Sequence, residues 1–197
     1  MSKIFFVTGK SCSGKDTIFN ILKQGDELNL KTVVGYTTRP MRVGEQDGVE
    51  YFFVDSAKLE TFEKENKIIE CRHYNTIHGI WSYFTVDDGQ IDLANGNYIY
   101  IGTLESYEKF VEYFGSEVVY PIYVEVESGE RLERAVKRER QQKEPKYKEL
   151  CRRFIADEED FSEEKIGHAG IQKRYENIDI DKCVEEIIAD IRANIHC

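Results

Sequence analysis

Long apolar runs, paired cysteines and excess positive charge are all missing from this chain of 197 residues. No stretch approaches the roughly twenty consecutive apolar residues that a membrane-spanning helix needs, and no signal-peptide pattern opens the sequence. The five cysteines form no C-x-x-C pair, which argues against a disulfide framework or a zinc site. We therefore expect a cytoplasmic protein that does not depend on disulfides, on zinc or on a membrane.

Positive charge is in deficit, because 27 Lys and Arg face 37 Asp and Glu, for a net charge of −10. Binding of nucleic acid or of an anionic membrane surface calls for a basic face, so neither partner is expected. The composition is 41% hydrophobic and 32% charged, which is typical of one soluble globular unit. A small anionic substrate would then have to be held by local clusters of arginine.

The best-marked feature is a glycine loop between a predicted strand and a predicted helix. An apolar run at residues 4–7 leads into the segment 9–17, and apolar residues at helical spacing follow it. The pattern G-x-x-x-x-G-K in this context is typical of phosphate-binding loops, whose backbone N–H groups face the phosphates while the lysine reaches the β- and γ-phosphates. The predicted ATP-binding residues are Gly9, Lys10, Ser11, Cys12, Ser13, Gly14, Lys15, Asp16 and Thr17.

The residue after the loop lysine departs from this pattern. The motif places Ser or Thr there, and its hydroxyl binds magnesium, whereas this chain has Asp16, with Thr17 one position later. Magnesium prefers oxygen ligands and keeps several waters. We therefore predict that Asp16 and Thr17 support Mg²⁺, either directly or through water.

Strand-like segments alternate with amphipathic helices along the chain, which predicts an α/β fold with a parallel sheet and right-handed crossovers. The P-loop core is expected from residues 1–35, 91–126 and 165–197. A small β-rich insert, residues 36–90, and a charged helical hairpin that forms a lid, residues 127–164, interrupt it.

The pattern also predicts the bounds of single elements, among them a helix over 104–114 that Gly115 ends. A strand is expected over residues 31–35, and the partner strand of a hairpin over about 77–84. A second charged helix is expected over about 147–164, followed by a loop over 167–170.

The segment 37–54 reads T-T-R-P-x-R-x-G-E-x-D-G-x-x-Y-x-F-V, and here the chain resembles the guanylate kinases. That resemblance implies a P-loop NTPase core with a β-rich acceptor-binding insert and a helical lid. It also implies an enzyme that uses ATP and Mg²⁺ to move the γ-phosphoryl group of ATP onto the phosphate of GMP, a small-molecule acceptor.

The resemblance also assigns roles to single residues. It places the acceptor phosphate on Arg39, Arg42 and Tyr51, because planar guanidinium groups clamp phosphate oxygens with two donors each. It makes Glu70 the carboxylate that reads the guanine edge. The implied catalytic residues are Lys15, Arg39, Arg138 and Arg152, with Arg134 and Arg153 as further lid arginines.

Two departures from the family leave alternatives open. The family's acidic strand end is Tyr100-Ile101-Gly102 here, and the serine expected before the first acceptor arginine is Gly35. A Gly-Lys-Asp loop without the strand acids resembles that of the bacterial ribose 1,5-bisphosphate phosphokinases. Ribose 1,5-bisphosphate is therefore the alternative acceptor. A non-catalytic guanylate-kinase-like binding domain is the second alternative, although a pure binding module has no use for Gly14-Lys15.

Overall fold

The computed structural model describes residues 2–76 and 79–195, and its centre is a five-stranded parallel sheet. In spatial order the strands are β2 (Lys31–Thr32), β7 (Tyr98–Ile101), β1 (Ile4–Thr8), β8 (Val119–Glu125) and β9 (Arg174–Glu176). All four strand pairs are parallel. The predicted α/β fold with a mostly parallel sheet is therefore confirmed.

Helices cover both faces of this sheet. The strand β1 is buried along its whole length, as expected of a central parallel strand. Its Phe5 and Val7 pack with the apolar faces of α1 (Lys15–Gln24) and α7 (Ile180–Ile195). On the other face Phe6 packs with the apolar face of α3 (Leu104–Phe114). The phosphate loop therefore follows a strand that is fixed from two sides.

A second, four-stranded sheet has its own small core. Its order is β4 (Phe52–Phe53), β3 (Tyr36–Thr37), β6 (Gly79–Val86) and β5 (Ile68–Thr76). The helix α2 (Ser56–Lys64) is capped by Asp55, which accepts a hydrogen bond from the Lys58 N–H at 2.8 Å. The core of this sheet consists of Tyr36, Leu59, Phe62, Phe84 and Val86. The predicted hairpin start at Ile77 lies outside the described residues.

The charged segment forms α4 (Ser128–Arg140), α5 (Tyr147–Asp160) and α6 (Glu163–His168). The prediction of one helix over 147–164 is wrong, because the chain turns at Phe161, which is buried and stacks on Tyr123 with the ring centroids 5.9 Å apart. The predicted loop over 167–170 is also wrong at its start, because α6 continues to His168.

Two further strand boundaries differ from the prediction. The strand predicted over 31–35 ends at Thr32, since the Val34 N–H donates to the Gln90 side-chain oxygen at 2.9 Å and not to a neighbouring strand. The strand β9 was not predicted, because three residues are too few to show an alternating pattern. The boundaries chosen for core, insert and lid stay predictions. None of the helices in the described part of the chain has the length and apolar content needed to cross a membrane.

Candidate active site

Two glycines shape the loop between β1 and α1. Gly9 has a φ of +150°, and a Cβ at this position would lie 2.4 Å from the carbonyl oxygen of Val124. Gly14 has a φ of +89°, and a Cβ there would lie 2.2 Å from Nδ2 of Asn177. Both the backbone conformation and the close contacts therefore exclude a side chain. The loop is seated directly against the chain at the ends of β8 and β9.

Between the two glycines, Cys12 also has a left-handed backbone, with φ +64°, and Ser13 is buried. The Ser13 N–H donates to the Lys10 carbonyl at 3.2 Å, and its own carbonyl accepts from Asn177 Nδ2 at 2.8 Å. A tightly curled loop of this kind turns backbone N–H groups toward a bound anion. The geometry is therefore suited to a phosphate group.

Lys15, Asp16 and Thr17 begin α1. The Lys15 ammonium lies 3.3 Å from Oδ2 of Asp16, whose side chain is 76% exposed, and Thr17 is exposed as well. Within residues 2–76 and 79–195 no group of three or more His, Cys, Asp or Glu could hold a metal. The Asp16 and Thr17 oxygens are, however, donors that Mg²⁺ accepts when phosphates and water complete its shell. The donor set fits a metal that is shared with a nucleotide.

The helix α5, in the segment predicted to be a lid, contacts the phosphate loop through two acids. The Ser11 N–H donates to Oδ2 of Asp157 at 2.9 Å, and Lys10 donates to Oε2 of Glu158 at 2.7 Å. Arg131 lies between them and is fully buried, donating to the Ser11 carbonyl at 3.2 Å, to Asp157 at 3.1 Å and to Glu158. The predicted ATP-binding residue Lys10 thus directs its side chain to α5.

Asn177, directly after β9, connects the loop to the lid as well. Its N–H donates to the Glu125 carbonyl at 2.9 Å, and its carbonyl accepts from Nη2 of Arg134 at 2.9 Å. Together with the bond from its side chain to Ser13, these contacts join a lid arginine, β8 and the phosphate loop through one buried residue.

The two arginines of the predicted acceptor loop differ in their surroundings. Arg39 is buried, and its fork donates to both carboxylate oxygens of Glu45, at 2.7 and 2.6 Å. This hydrogen-bonded pairing lowers the pKa of Glu45 to about 2. The guanidinium group also lies over the rings of Tyr51 and Phe53, 5.3 and 5.2 Å from their centroids. Arg42 is exposed.

Tyr51 packs against the rings of Phe53 and Tyr83 and lies beside Arg39. Burial raises its pKa, and the Asp16 carboxylate is close enough to add to that effect, while Arg72 and Arg39 act in the opposite direction. The charges of Asp16, Arg39 and Arg72 therefore all act on the Tyr51 hydroxyl. These residues come from the two segments that the sequence analysis assigned to ATP and to the acceptor.

Glu70 is buried, and both of its carboxylate oxygens accept hydrogen bonds from side chains of this protein. Arg72 donates to it from Nε at 2.9 Å and from Nη2 at 3.3 Å, and Thr85 donates from its hydroxyl at 3.0 Å. Burial of the guanidinium acts to lower the pKa of Arg72, but the charge and hydrogen bonds of Glu70 outweigh it, so that this pKa is raised. The predicted base-reading carboxylate is thus part of an internal ion pair.

A cleft of about 850 Å³ opens between the phosphate loop and the lid. Arg42, Arg138 and Arg153 line it together with the loop residues Ser11 and Cys12. Among the described residues Arg152 is not part of its lining, and Arg152 donates twice to Glu149, both times at 2.8 Å. The structure therefore brings two of the candidate lid arginines to the cleft and leaves Arg152 outside it.

Sequence reasoning missed three residues of this region. Arg72 had a usable signal, because residues two apart in a strand lie on the same face, which places it beside Glu70. Asp157 and Asn177 had none, since the loop residues they bind are 146 and 164 positions away in the chain.

Known proteins resemble this chain most clearly in its N-terminal part. Residues 1–81 match the family model for guanylate kinase. Over 71 residues the chain is 42% identical to the guanylate kinase of Zymomonas mobilis, a match covering 36% of this chain and 32% of that protein. Over 79 residues it is 35% identical to the guanylate kinase of Nitrosomonas europaea, covering 40% and 37%. The matched segments span about a third of the length of these curated relatives.

The fold extends the similarity over nearly the whole chain. The crystal structure of guanylate kinase from Anaplasma phagocytophilum superposes with a TM-score of 0.66 at 22% identity, covering 98% of this chain and 85% of that one. At this identity the superposition concerns the fold. In the sequence of residues 1–81 this chain is therefore similar to the guanylate kinases, and over nearly its whole length it has the fold of one of them.

Proposed function

We propose that this protein is an ATP-dependent nucleoside monophosphate kinase of the guanylate kinase type, which moves the γ-phosphoryl group of ATP onto the phosphate of a small acceptor, GMP in the family. The cleft of about 850 Å³ carries the proposal, because it joins Ser11 and Cys12 of the phosphate loop, Arg42 of the acceptor loop, and Arg138 and Arg153 of the lid. A phosphate cradle, an acceptor clamp and covering cations are the parts that phosphoryl transfer needs.

The phosphate loop would hold the ATP phosphates through its N–H groups and through Lys15. The left-handed Cys12 and the two glycines already hold the loop in its curled form. Little reorganisation is then required when the nucleotide binds, and a preorganised cradle favours the charge that develops on the phosphoryl group.

Arg42 would bind the acceptor phosphate at the rim of the cleft, and Arg39 would support it from below. The fork of Arg39 is already held by Glu45 and by the Pro40 carbonyl, so this buried arginine would act by fixing the loop. Tyr51, beside Arg39, would contribute its hydroxyl. Arg138 and Arg153 would approach the transferred group when the lid closes.

The reaction needs no general base. A phosphate monoester loses its second proton with a pKa near 6, so the acceptor is largely a dianion at pH 7. One of its oxygens attacks the γ-phosphorus, the bond to the β–γ bridging oxygen breaks, and ADP leaves with that electron pair. Positioning and charge stabilisation then account for catalysis.

Asp16 and Thr17 are the residues that we propose to hold Mg²⁺ at the start of α1. When bound there, the metal would neutralise part of the charge of the ATP phosphates. A cytoplasmic location is proposed because the five scattered cysteines without a C-x-x-C pair fit a reducing compartment.

The proposal is tested by measuring ADP formation from MgATP with GMP, dGMP, AMP, UMP and ribose 1,5-bisphosphate as acceptors. We expect acceptor-dependent turnover, and a loss of about 10²–10³-fold in Lys15→Met, which removes a cation from the transferring phosphates. Lys23→Met, in the last turn of the same helix, is the matched control and should retain activity.

A non-catalytic binding domain predicts a different result. Such a domain would neither turn over ATP with any acceptor nor bind it in a calorimetric titration. Absence of both signals in the folded protein would overturn the proposed kinase activity.

A further inference from the structure

Glu70 and Arg72 form a closed ion pair on the acceptor side of the molecule. Oε2 of Glu70 accepts from Nε of Arg72, and Oε1 accepts both from Nη2 of Arg72 and from the Thr85 hydroxyl. The side chain of Glu70 is only 1% exposed and that of Arg72 only 12%. Both carboxylate oxygens are therefore occupied by donors from the chain itself.

The ion pair is held in place by its neighbours. Nη1 of Arg72 donates to Oγ1 of Thr103, the N-cap of α3, at 3.3 Å. The Thr85 hydroxyl, which donates to Glu70, is 2.8 Å from the Tyr100 hydroxyl of β7. The network therefore spans β5, β6, β7 and α3, and its charge also acts on the pKa of Tyr51. Arg72 thus lies within the acceptor region, and its guanidinium group has little freedom there.

Arg72 gives Glu70 the same type of partner that guanine would give it. Guanine can offer a carboxylate two adjacent donors, N1–H and one N2–H. The Nε–H and Nη2–H of Arg72 form an equivalent two-pronged donor and add a positive charge, which makes the hydrogen bonds stronger. A base could reach Glu70 only after Arg72 had left, which would break a buried ion pair and leave Arg72 to find another partner.

Two neighbouring positions cannot provide a replacement reader. At Gly102, the end of β7, a Cβ would lie 2.4 Å from Oγ of Ser106 and 2.7 Å from Cζ of Phe6, so a carboxylate does not fit. At Gly35 a Cβ would lie 3.1 Å from the Tyr100 hydroxyl. Packing therefore excludes a side chain at Gly102, and as a glycine Gly35 offers no group that could read a base.

We propose that Arg72 is a specificity-determining residue, which occupies Glu70 in place of a base and leaves the acceptor to be selected by its phosphate. The inference rests on the proposed kinase activity, and it makes the substrate class nucleoside monophosphates with little regard to the base. A site built to hydrogen-bond one substrate rejects analogues by about 10⁴-fold. A site without such readers should discriminate by about tenfold or less.

The experiment measures kcat/KM for GMP, AMP, UMP and CMP with the wild-type protein and with Glu70→Gln, which keeps the shape of the side chain and an oxygen that accepts from Arg72. We expect GMP to be preferred by about tenfold or less in the wild type. We also expect that preference to change by less than about threefold in the variant. Arg42→Ala is the matched comparison, because a phosphate contact should affect all four acceptors by a similar factor.

A GMP preference above about tenfold that Glu70→Gln removes would overturn the inference, because Glu70 would then read the base after displacing Arg72. If no acceptor supports turnover, the kinase proposal fails separately, and calorimetric titration with GMP and AMP tests the inference by itself. Dissociation constants within about tenfold of each other in the folded wild-type protein support it, and a wider gap in favour of GMP overturns it. Thermal unfolding of Glu70→Gln establishes that this variant is folded.

Discussion

Asp16 illustrates how a single residue can change the chemistry expected of a familiar loop. In place of a neutral hydroxyl, the first turn of α1 carries a carboxylate that is largely in solvent and 3.3 Å from the Lys15 ammonium. An anion at a helix N-terminus is favoured by the helix dipole. At the same time it adds negative charge where the ATP phosphates would lie, so a metal ion is the natural partner for it.

Asp16→Ser is therefore expected to weaken magnesium binding, so that turnover falls at low Mg²⁺ concentrations. Loss of one oxygen donor or of its orienting contact should raise the half-saturating Mg²⁺ concentration by about tenfold or more. A magnesium titration of turnover at saturating nucleotide measures this. Asp181→Ser, in the first turn of α7, is the control. Unchanged turnover and unchanged half-saturation in Asp16→Ser would exclude a role for Asp16 in metal binding.

A second prediction at this scale concerns Gly102→Ala. The added methyl group would overlap Ser106 and Phe6 in the main core, and overpacking of this kind costs about 1–3 kcal/mol of unfolding free energy. The melting temperature should fall by about 2–4 °C for each kcal/mol. Gly167→Ala is the matched control, because that helical glycine has open space and should gain stability. Equal melting temperatures for the two variants would contradict the packing argument.

At the scale of elements, the contact between α5 and the phosphate loop is the most consequential. Asp157 accepts hydrogen bonds from the N–H and the hydroxyl of Ser11 and from the buried Arg131. The helix α5 is thus joined to the loop between β1 and α1 by charge-assisted bonds, which are stronger than neutral ones. If α5 moves, these bonds must break or the loop must move together with the helix.

Asp157→Asn is expected to loosen this contact. The variant should lose about 1.5–3 kcal/mol of unfolding free energy, the typical contribution of a hydrogen bond to a charged group. The Ser11 amide should also exchange its hydrogen faster with solvent. Denaturant unfolding and amide exchange measure the two effects. Glu159→Gln, an exposed neighbour on α5, should change neither. Wild-type exchange at Ser11 in Asp157→Asn would show that the bond does not hold the loop.

At the scale of the whole molecule, the excess of acids makes stability depend on pH, and Glu45 is a defined contributor. Its pKa falls from 4.5 to about 2 because Arg39 holds both of its oxygens. A carboxylate with a lowered pKa stabilises the fold above its unfolded pKa, and this contribution is lost as the pH falls through the folded value. The loss should therefore develop between pH 4.5 and about 2.

Glu45→Gln should remove this part of the pH dependence. The difference in unfolding free energy between wild type and variant is expected to be largest above pH 4.5 and to shrink as the pH approaches 2. Urea unfolding at several pH values measures it. Glu60→Gln is the control, because its ion pair with Lys64 is exposed and such pairs contribute little. A difference that stays constant with pH would contradict the assigned pairing.

Periodicity predicted much of the fold where an element is long and has clear end signals. The helix α3 has the predicted bounds, with Thr103 as N-cap and Gly115 after its last residue. The prediction failed where a boundary depends on a distant partner. Phe161 ends α5 because it stacks on Tyr123, and Val34 leaves the sheet because it binds Gln90. Such partners leave no local pattern in the sequence.

The sequence by itself determined the phosphate loop, the alternating α/β order and the acceptor loop, because each depends on residues close together in the chain. Only the tertiary structure decided what the charged side chains do. It paired Arg39 with Glu45, buried Arg131 between two acids, and bound Asn177 to the loop from 164 residues away. Glu70 and Arg72 share one strand face by their spacing alone, but only folding buried that face and so excluded water from their ion pair.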